Sequence, residues 1–231
     1  MSGPAVQRWR VTYARRAAAA TSTARAALEA WESAIAASTL PIATEGDGAR
    51  PRLQAGPPPP PGVVAEEELV DLYLAERRTR ADVREALEPI APAGVVITDL
   101  ADVWIRAPSP AASVVAADYR IPLAGIADPD GLARAIRQLL ESEHLVRERD
   151  RAGRVTSFDL RRLIVDVWIA DQQDGQPDVT GGSTLGMRLR LDPQLGNGRP
   201  DDVLAALREA SGLDLVPSAP AVRGRLELSA G

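Results

Sequence analysis

Two short segments, Asp82-Val83-Arg84-Glu85-Ala86-Leu87 and Asp202-Val203-Leu204-Ala205-Ala206-Leu207, are near copies of one another. Each follows a leucine-bearing stretch of strand character. Each is followed by a glycine-containing turn (Gly94; Gly212), an aliphatic run and an Ala-Asp-Val or Ala-Val step (Ala101-Asp102-Val103; Ala221-Val222). An internal repeat constrains architecture more than composition does, because both copies must find the same kind of neighbours.

The periodicity around the two segments extends the match. In the first half, Trp9, Val11 and Tyr13 alternate with Arg8, Arg10 and Thr12, which predicts a strand over Gln7 to Tyr13. Thr21, Ser22 and Thr23 offer N-cap oxygens for a helix to about Ala37, with Leu28, Trp31 and Ile35 on one face. Glu45 to Gly62 reads as a loop with a strand inside or beside it, and Pro57 to Pro61 as a stiff polyproline connector. A strand over Glu68 to Ala75, a helix over Ala81 to Pro89 and a strand over Gly94 to Ile105 follow.

Pro108 and Pro110 mark a join. The second half predicts a strand over Ser113 to Leu123, then a helix capped by Asp128 from Pro129 to about Leu145. Next come a turn at Arg151 to Gly153, one long strand from Phe158 to Ala170, and a polar loop from Asp171 to Gly182. A half-buried strand at Leu185 to Leu191, a helix at Asp201 to Ala210 and a strand at Gly224 to Ser229 close the chain. Both halves therefore read β-α-β-β-α-β, the split βαβ unit in which an antiparallel sheet carries its helices on one face. The expected fold class is α+β, with two tandem ferredoxin-like halves at residues 1–107 and 112–231.

Composition excludes several chemistries. The chain has 231 residues and no cysteine, which removes disulfides, thiolate metal sites and a cysteine nucleophile. All 27 basic residues are arginine; against 32 acidic ones they leave a net charge of −5, which argues against bulk electrostatic capture of nucleic acid. The abundance of Ala and Arg with no Lys reads as coding bias. Met1 to Arg10 lacks a signal-peptide core, and no stretch reaches the ~20 apolar residues of a spanning helix, so a cytoplasmic protein is expected.

Few residues suggest reactivity. His144, the one histidine, reads as an exposed side chain complementing a helix C-terminus. Glu66-Glu67-Glu68 and Asp71 read as a solvated face. Gly181-Gly182-Ser183-Thr184 precedes a strand, so a phosphate nest there is disfavoured. No Gly-x-Ser-x-Gly elbow, Walker loop or dinucleotide fingerprint is present. Asp159-x-Arg161 is the most suggestive polar pair, because residues i and i+2 of a strand share a face. It reads either as an arginine held ready for a carboxylate or phosphate, or as an ion pair at a sheet edge. Arg149, Arg199 and Arg223 complete the candidate binding set. No catalytic residue, metal site or cofactor is assigned.

A family resemblance narrows the function. Leu40-Pro41-Ile42-Ala43, Arg50-Pro51-Arg52-Leu53 and the run Gly56 to Gly62, then Phe158-Asp159-Leu160-Arg161, Gly198-Arg199-Pro200-Asp201-Asp202-Val203-Leu204 and Arg223-Gly224-Arg225-Leu226, resemble in order and spacing the radical-SAM-linked proteins. These form a bacterial family of unknown function, often fused to or encoded beside a radical SAM protein. The polar segments that relatives carry at the start of the first helix and in the following loop are reduced here to Thr21-Ser22-Thr23-Ala24 and Glu45 to Pro51, the pattern of a diverged member. The resemblance implies a non-catalytic accessory protein to a radical SAM enzyme, connected with RNA or tRNA modification. Two alternatives stay open: an RNA-binding protein using the Arg147 to Arg162 surface, and an RNA-modifying enzyme.

Overall fold

A computed structural model of the chain describes residues 4–45, 50–151, 153–170 and 183–229. The glycines at 46 and 48, the whole polar loop at 171–182 with the glycines at 181 and 182, and the alanine of the turn at 151–153 lie outside the described residues. The fold is α+β, and the chain divides into two units, Met1–Val114 with Ser229–Gly231, and Val115–Leu228.

Unit 1 runs β1 (Gln7–Arg15), α1 (Ala17–Ala20), α2 (Ala24–Ala36), β2 (Thr44–Glu45), β3 (Arg50–Pro51), β4 (Leu53–Ala55), β5 (Val64–Leu74), α3 (Arg80–Leu87), β6 (Val95–Val103) and α4 (Pro110–Ser113). Its main sheet has the order β4-β5-β1-β6, and these neighbours pair antiparallel. The alternation in β1 works as predicted. Trp9, Val11 and Tyr13 join Trp31 and Ile35 of α2, Leu72 and Leu74 of β5, and Val83 and Leu87 of α3 in one core. Tyr13 and Trp31 meet edge to face, 5.2 Å between ring centres. Of the three candidate caps only Thr23 is used, its hydroxyl accepting from Ala26 N–H at 3.2 Å. At α3 a full capping box forms: Thr79 Oγ1 accepts from Asp82 N–H, and the Asp82 carboxylate accepts from Thr79 N–H at 2.9 Å.

The acidic residues of β5 depart from expectation. The acidic run belongs to β5, not to a solvated stretch before it, and while Glu66 is exposed, Glu68 and Asp71 are buried. Asp71 is fully buried beside Arg8 and Arg10 of β1, where Arg10 is its register partner. Its two oxygens accept four hydrogen bonds, two from each guanidinium, with Arg8 Nε at 2.8 Å and Arg10 Nε at 2.9 Å. Arg8 also donates to the carbonyls of Ala107 and Pro108, so the same network pins the segment after β6. The Arg8 and Arg52 guanidinium groups lie over the ring of Tyr73, 5.3 and 4.1 Å from its centre.

Unit 2 runs β7 (Val114–Pro122), α5 (Pro129–Glu141), β8 (Val146–Arg151), β9 (Arg154–Asp159), β10 (Ile164–Ala170), β11 (Thr184–Asp192), β12 (Gly196–Asn197), α6 (Pro200–Ser211) and β13 (Val222–Leu228). The main sheet has the order β10-β11-β7-β13; β10 with β11 and β11 with β7 are antiparallel. Leu185, Met187, Leu189 and Leu191 are buried as the alternation predicts, with Arg188 and Arg190 on the other side. Gly186 is required there: a Cβ on it would come within 2.3 Å of the Trp168 indole, its cross-strand partner. Gly212 ends α6 at φ 68°, the left-handed backbone that glycine adopts without strain.

Two predicted boundaries move. The helix expected to reach Leu145 ends at Glu141, with Ser142 already extended. The long strand expected from Phe158 to Ala170 is two strands, separated by a 3-10 turn over Leu160–Leu163. Leu160 and Leu163 stand three residues apart, one 3-10 turn, and both are buried, so packing favours the turn over continued strand.

Removing the acid from the unit 1 network leaves two arginines facing one another with at least Arg8 out of water. Asp71→Ala is expected to lower stability by about 3–5 kcal/mol, measured by urea unfolding; a loss under about 1 kcal/mol would show that the network contributes little.

Candidate functional site

The polar residues nominated in the sequence come together in part. Asp159 closes β9 and caps the 3-10 turn that follows. Its Oδ1 accepts from Leu145 N–H at 2.9 Å and from Arg161 N–H at 3.1 Å, while its Oδ2 lies 2.9 Å from His144 Nδ1. One carboxylate thus ties the segment leaving α5 to the turn between β9 and β10. These bonds, led by the one to His144 and followed by the Leu145 N–H, hold the Asp159 carboxyl below the usual carboxylate range. His144 is exposed, as expected, but is spent on Asp159 and not on a helix end.

Arg161 does not pair with Asp159 through its side chain. The turn at Leu160 takes it off the strand, so the i, i+2 relation that would set both side chains on one face does not apply. Its guanidinium donates to the carbonyls of Leu140, at 3.1 Å, and Ile164, at 2.9 Å. It therefore satisfies a carbonyl in the last turn of α5, a position that favours a cation.

Arg149, on β8, donates to the Asp202 carboxylate and to Asn197 O, the latter at 3.1 Å, and its guanidinium lies 4.1 Å from the Phe158 ring centre. Arg147 pairs with Glu209 at 2.8 Å. The β8–β9 hairpin is thereby fastened to α6 by two ion pairs. Arg199, at the N-cap of α6, is exposed, and Arg223, on β13, is fully buried.

The two similar segments, Asp82 to Leu87 and Asp202 to Leu207, both lie on helices. Asp82 and Asp202 each occupy the third position of their helix, and Val83, Leu87, Val203 and Leu207 are all buried. The same aspartate serves different ends: Asp82 closes a capping box, whereas Asp202 receives Arg149.

Sequence reasoning missed two arrangements. One is the Arg8–Asp71–Arg10 network, whose signal was an acid in the middle of an aliphatic strand, at a position that pairing could set opposite the alternating arginines of β1. The other is the side of the unit 2 sheet that carries Arg188. Arg188 and Asp118 are cross-strand partners joined by two bonds of 2.6 and 3.0 Å, and the acid raises the Arg188 pKa above its ordinary value. Among the described residues no group of three or more His, Cys, Asp or Glu side chains is placed to hold a metal ion. No described helix is long and apolar enough to cross a membrane.

A family model described as an uncharacterized protein conserved in bacteria, DUF2344, matches residues 8–190. The chain belongs to this family. No curated protein matches it. The family match begins at Arg8 of the buried network and covers Arg149, Asp159 and Arg161, but stops before Arg199 and Arg223.

Asp159→Ala removes the acceptor for two backbone donors at once and is expected to cost about 0.5–2 kcal/mol, the range for losing a cap. The acid is depressed in the folded state, so its contribution is complete above the unfolded aspartate value, about 3.9, and is lost as pH falls through the lower folded pKa. Urea titrations should therefore show the gap between the parent and Asp159→Asn narrowing toward acid pH. A gap independent of pH would show that the charge contributes nothing.

Proposed function

We propose that the chain is a non-catalytic accessory protein that binds a radical SAM enzyme and acts with it in RNA modification. The identity of the enzyme class rests on the resemblance of the Leu40–Ala43, Arg50–Gly62 and Gly198–Leu204 segments to radical-SAM-linked proteins. The observation that carries the accessory role is the use made of the arginines. Arg8 and Arg10 hold Asp71, Arg149 holds Asp202, Arg161 holds two carbonyls and Arg188 holds Asp118. The groups best suited to grip a reacting anion are spent on the chain's own acids and carbonyls, which supports a rigid scaffold that presents surfaces.

The two units are proposed to be ferredoxin-like copies related as a tandem repeat. The orders β4-β5-β1-β6 and β10-β11-β7-β13 support this, since each is 2-3-1-4 when the four main strands of its unit are numbered along the chain. The matched helices α3 and α6 take the same place, between the third and fourth strands. Cross-strand amide contacts measured by NMR between β4 and β5 and between β10 and β11 check the arrangement; finding β4 or β10 elsewhere would refute it.

RNA binding by the chain itself is a second reading. Arg147 and Arg149 are neutralised by acids of α6, which shifts the weight from the Arg147 to Arg162 hairpin to Arg162, Arg190 and Arg225, all exposed on unit 2.

Tagged chain expressed in its native host is expected to co-purify with a radical SAM protein, and the purified pair to re-associate when mixed. Failure of the purified pair to associate would reject the accessory role. Binding of single-stranded RNA by the isolated chain should weaken as salt rises, and Arg190→Glu with Arg225→Glu should abolish it. RNA affinity independent of both charges would reject the second reading.

A further inference from the structure

Unit 1 holds an open groove of about 610 Å3 between the residues that follow α2 and one side of α3. The α3 wall is Asp82, Glu85, Ala86 and Pro89. Their spacing of i, i+3, i+4 and i+7 sets them on one face of the helix and its 3-10 continuation over Glu88–Ile90. This face borders the one that α3 turns to the core with Val83 and Leu87: Ala86 and Ile90 pack against that core with one side and line the groove with the other, while Asp82, Glu85 and Pro89 are exposed. Unit 2 is built differently at the corresponding place, where α5 and α6 pack against each other. In unit 1, α2 and α3 meet through the shared core of Trp31, Ile35, Val83 and Leu87, and the groove opens beside it.

The groove is apolar at its base and negative at its rim. Leu40, Ala86 and Ile90 supply aliphatic surface. Glu85 is exposed and is held in no hydrogen bond or ion pair with a described residue, and Asp82 keeps its charge while capping Thr79. The one cation on the lining, Arg78, is matched by Glu76 at 2.9 Å. The last turn of α2 carries no basic residue, and its carbonyls are capped by Ala37 N–H and by Ser38 N–H and Oγ, so no cation of the chain is added to the groove from that side. An apolar trough with a negative rim complements a helix that carries aliphatic side chains along one stripe and lysine or arginine beside it.

We propose that this groove docks a cationic amphipathic helix of a partner protein, its aliphatic stripe against Ala86, Pro89 and Ile90 and its basic side chains against Glu85 and Asp82. The proposal deepens the accessory-protein reading and rests on it for the existence of a partner, but not on which enzyme the partner is.

The test uses the full chain and two labelled synthetic helices of the same spacing, one of leucine and lysine and the other of leucine and glutamate. Fluorescence anisotropy should show binding of the lysine helix and none of the glutamate helix. Amide NMR shifts should concentrate at residues 37–40 and 82–90. Glu85→Lys, at an exposed position, should weaken the lysine helix by at least about tenfold and gain affinity for the glutamate helix. Ala86→Trp, which fills the trough, should weaken the lysine helix comparably, with thermal unfolding confirming that each variant is folded. Binding unchanged by Glu85→Lys, or shifts spread over other acidic surfaces, would overturn the proposal. So would a chain that self-associates through the groove, because the occupant would then be a second copy. If the lysine helix binds as described while no radical SAM protein associates, the choice of enzyme is wrong and the groove stands. The reverse result rejects the groove and leaves the accessory role.

Discussion

A carboxylate taken fully out of water organises unit 1. Burying Asp71 alone would cost several kcal/mol, and the structure offsets this by giving its two oxygens four guanidinium hydrogen bonds from Arg8 and Arg10. The geometry has consequences for the chain around it. Arg8 and Arg10 can both reach the acid only if β1 and β5 hold their register, since a slip of one residue would turn the arginines into the hydrophobic core and Trp9 and Val11 out of it. The same guanidinium reaches the carbonyls of Ala107 and Pro108, so strand register and the path of the chain after β6 are set by one interaction.

Unit 2 distributes the same chemistry differently. Its acids act one at a time, each at a junction: Asp159 between the end of α5 and the 3-10 turn, Asp202 between α6 and the β8–β9 hairpin, Asp118 across two strands. Each pair is partly exposed, so each is worth less than a buried one, but each lies where two elements must meet. Asp82 and Asp202, each in the first turn of its helix, show how the residue in front decides the use of an acid. With Thr79 in front, Asp82 completes a cap; with Arg199 in front, which offers no side-chain cap, Asp202 is left to take an arginine from the hairpin.

Much of the fold was legible because it depends on periodicity. Trp9, Val11 and Tyr13 announced a strand with one buried face, as did Leu185, Met187, Leu189 and Leu191, and the stripes of α2, α5 and α6 announced helices. The break after Asp159 was not legible, because Leu160-Arg161-Arg162-Leu163 leads into the apolar run Leu163 to Ile169 without glycine or proline to mark a turn. The candidate site suffered from that one break. Asp159 and Arg161 were chosen as a pair on an assumed strand, and the turn separates their side chains while leaving both residues important to the backbone.

The sequence by itself determined that the chain would be α+β, where most of its strands and helices would form, and that thiol chemistry was absent. These follow from local spacing and composition, which are properties of neighbours along the chain. Tertiary structure alone decided which charges are spent. Asp71 looked like part of a solvated acidic run until β1 brought two arginines over it, and Arg149 looked like a free cation until α6 brought Asp202. A charge is silenced or left active by what reaches it from elsewhere in the chain. That is equally why the open trough beside α3, with Glu85 at its rim, has no signature in the order of residues.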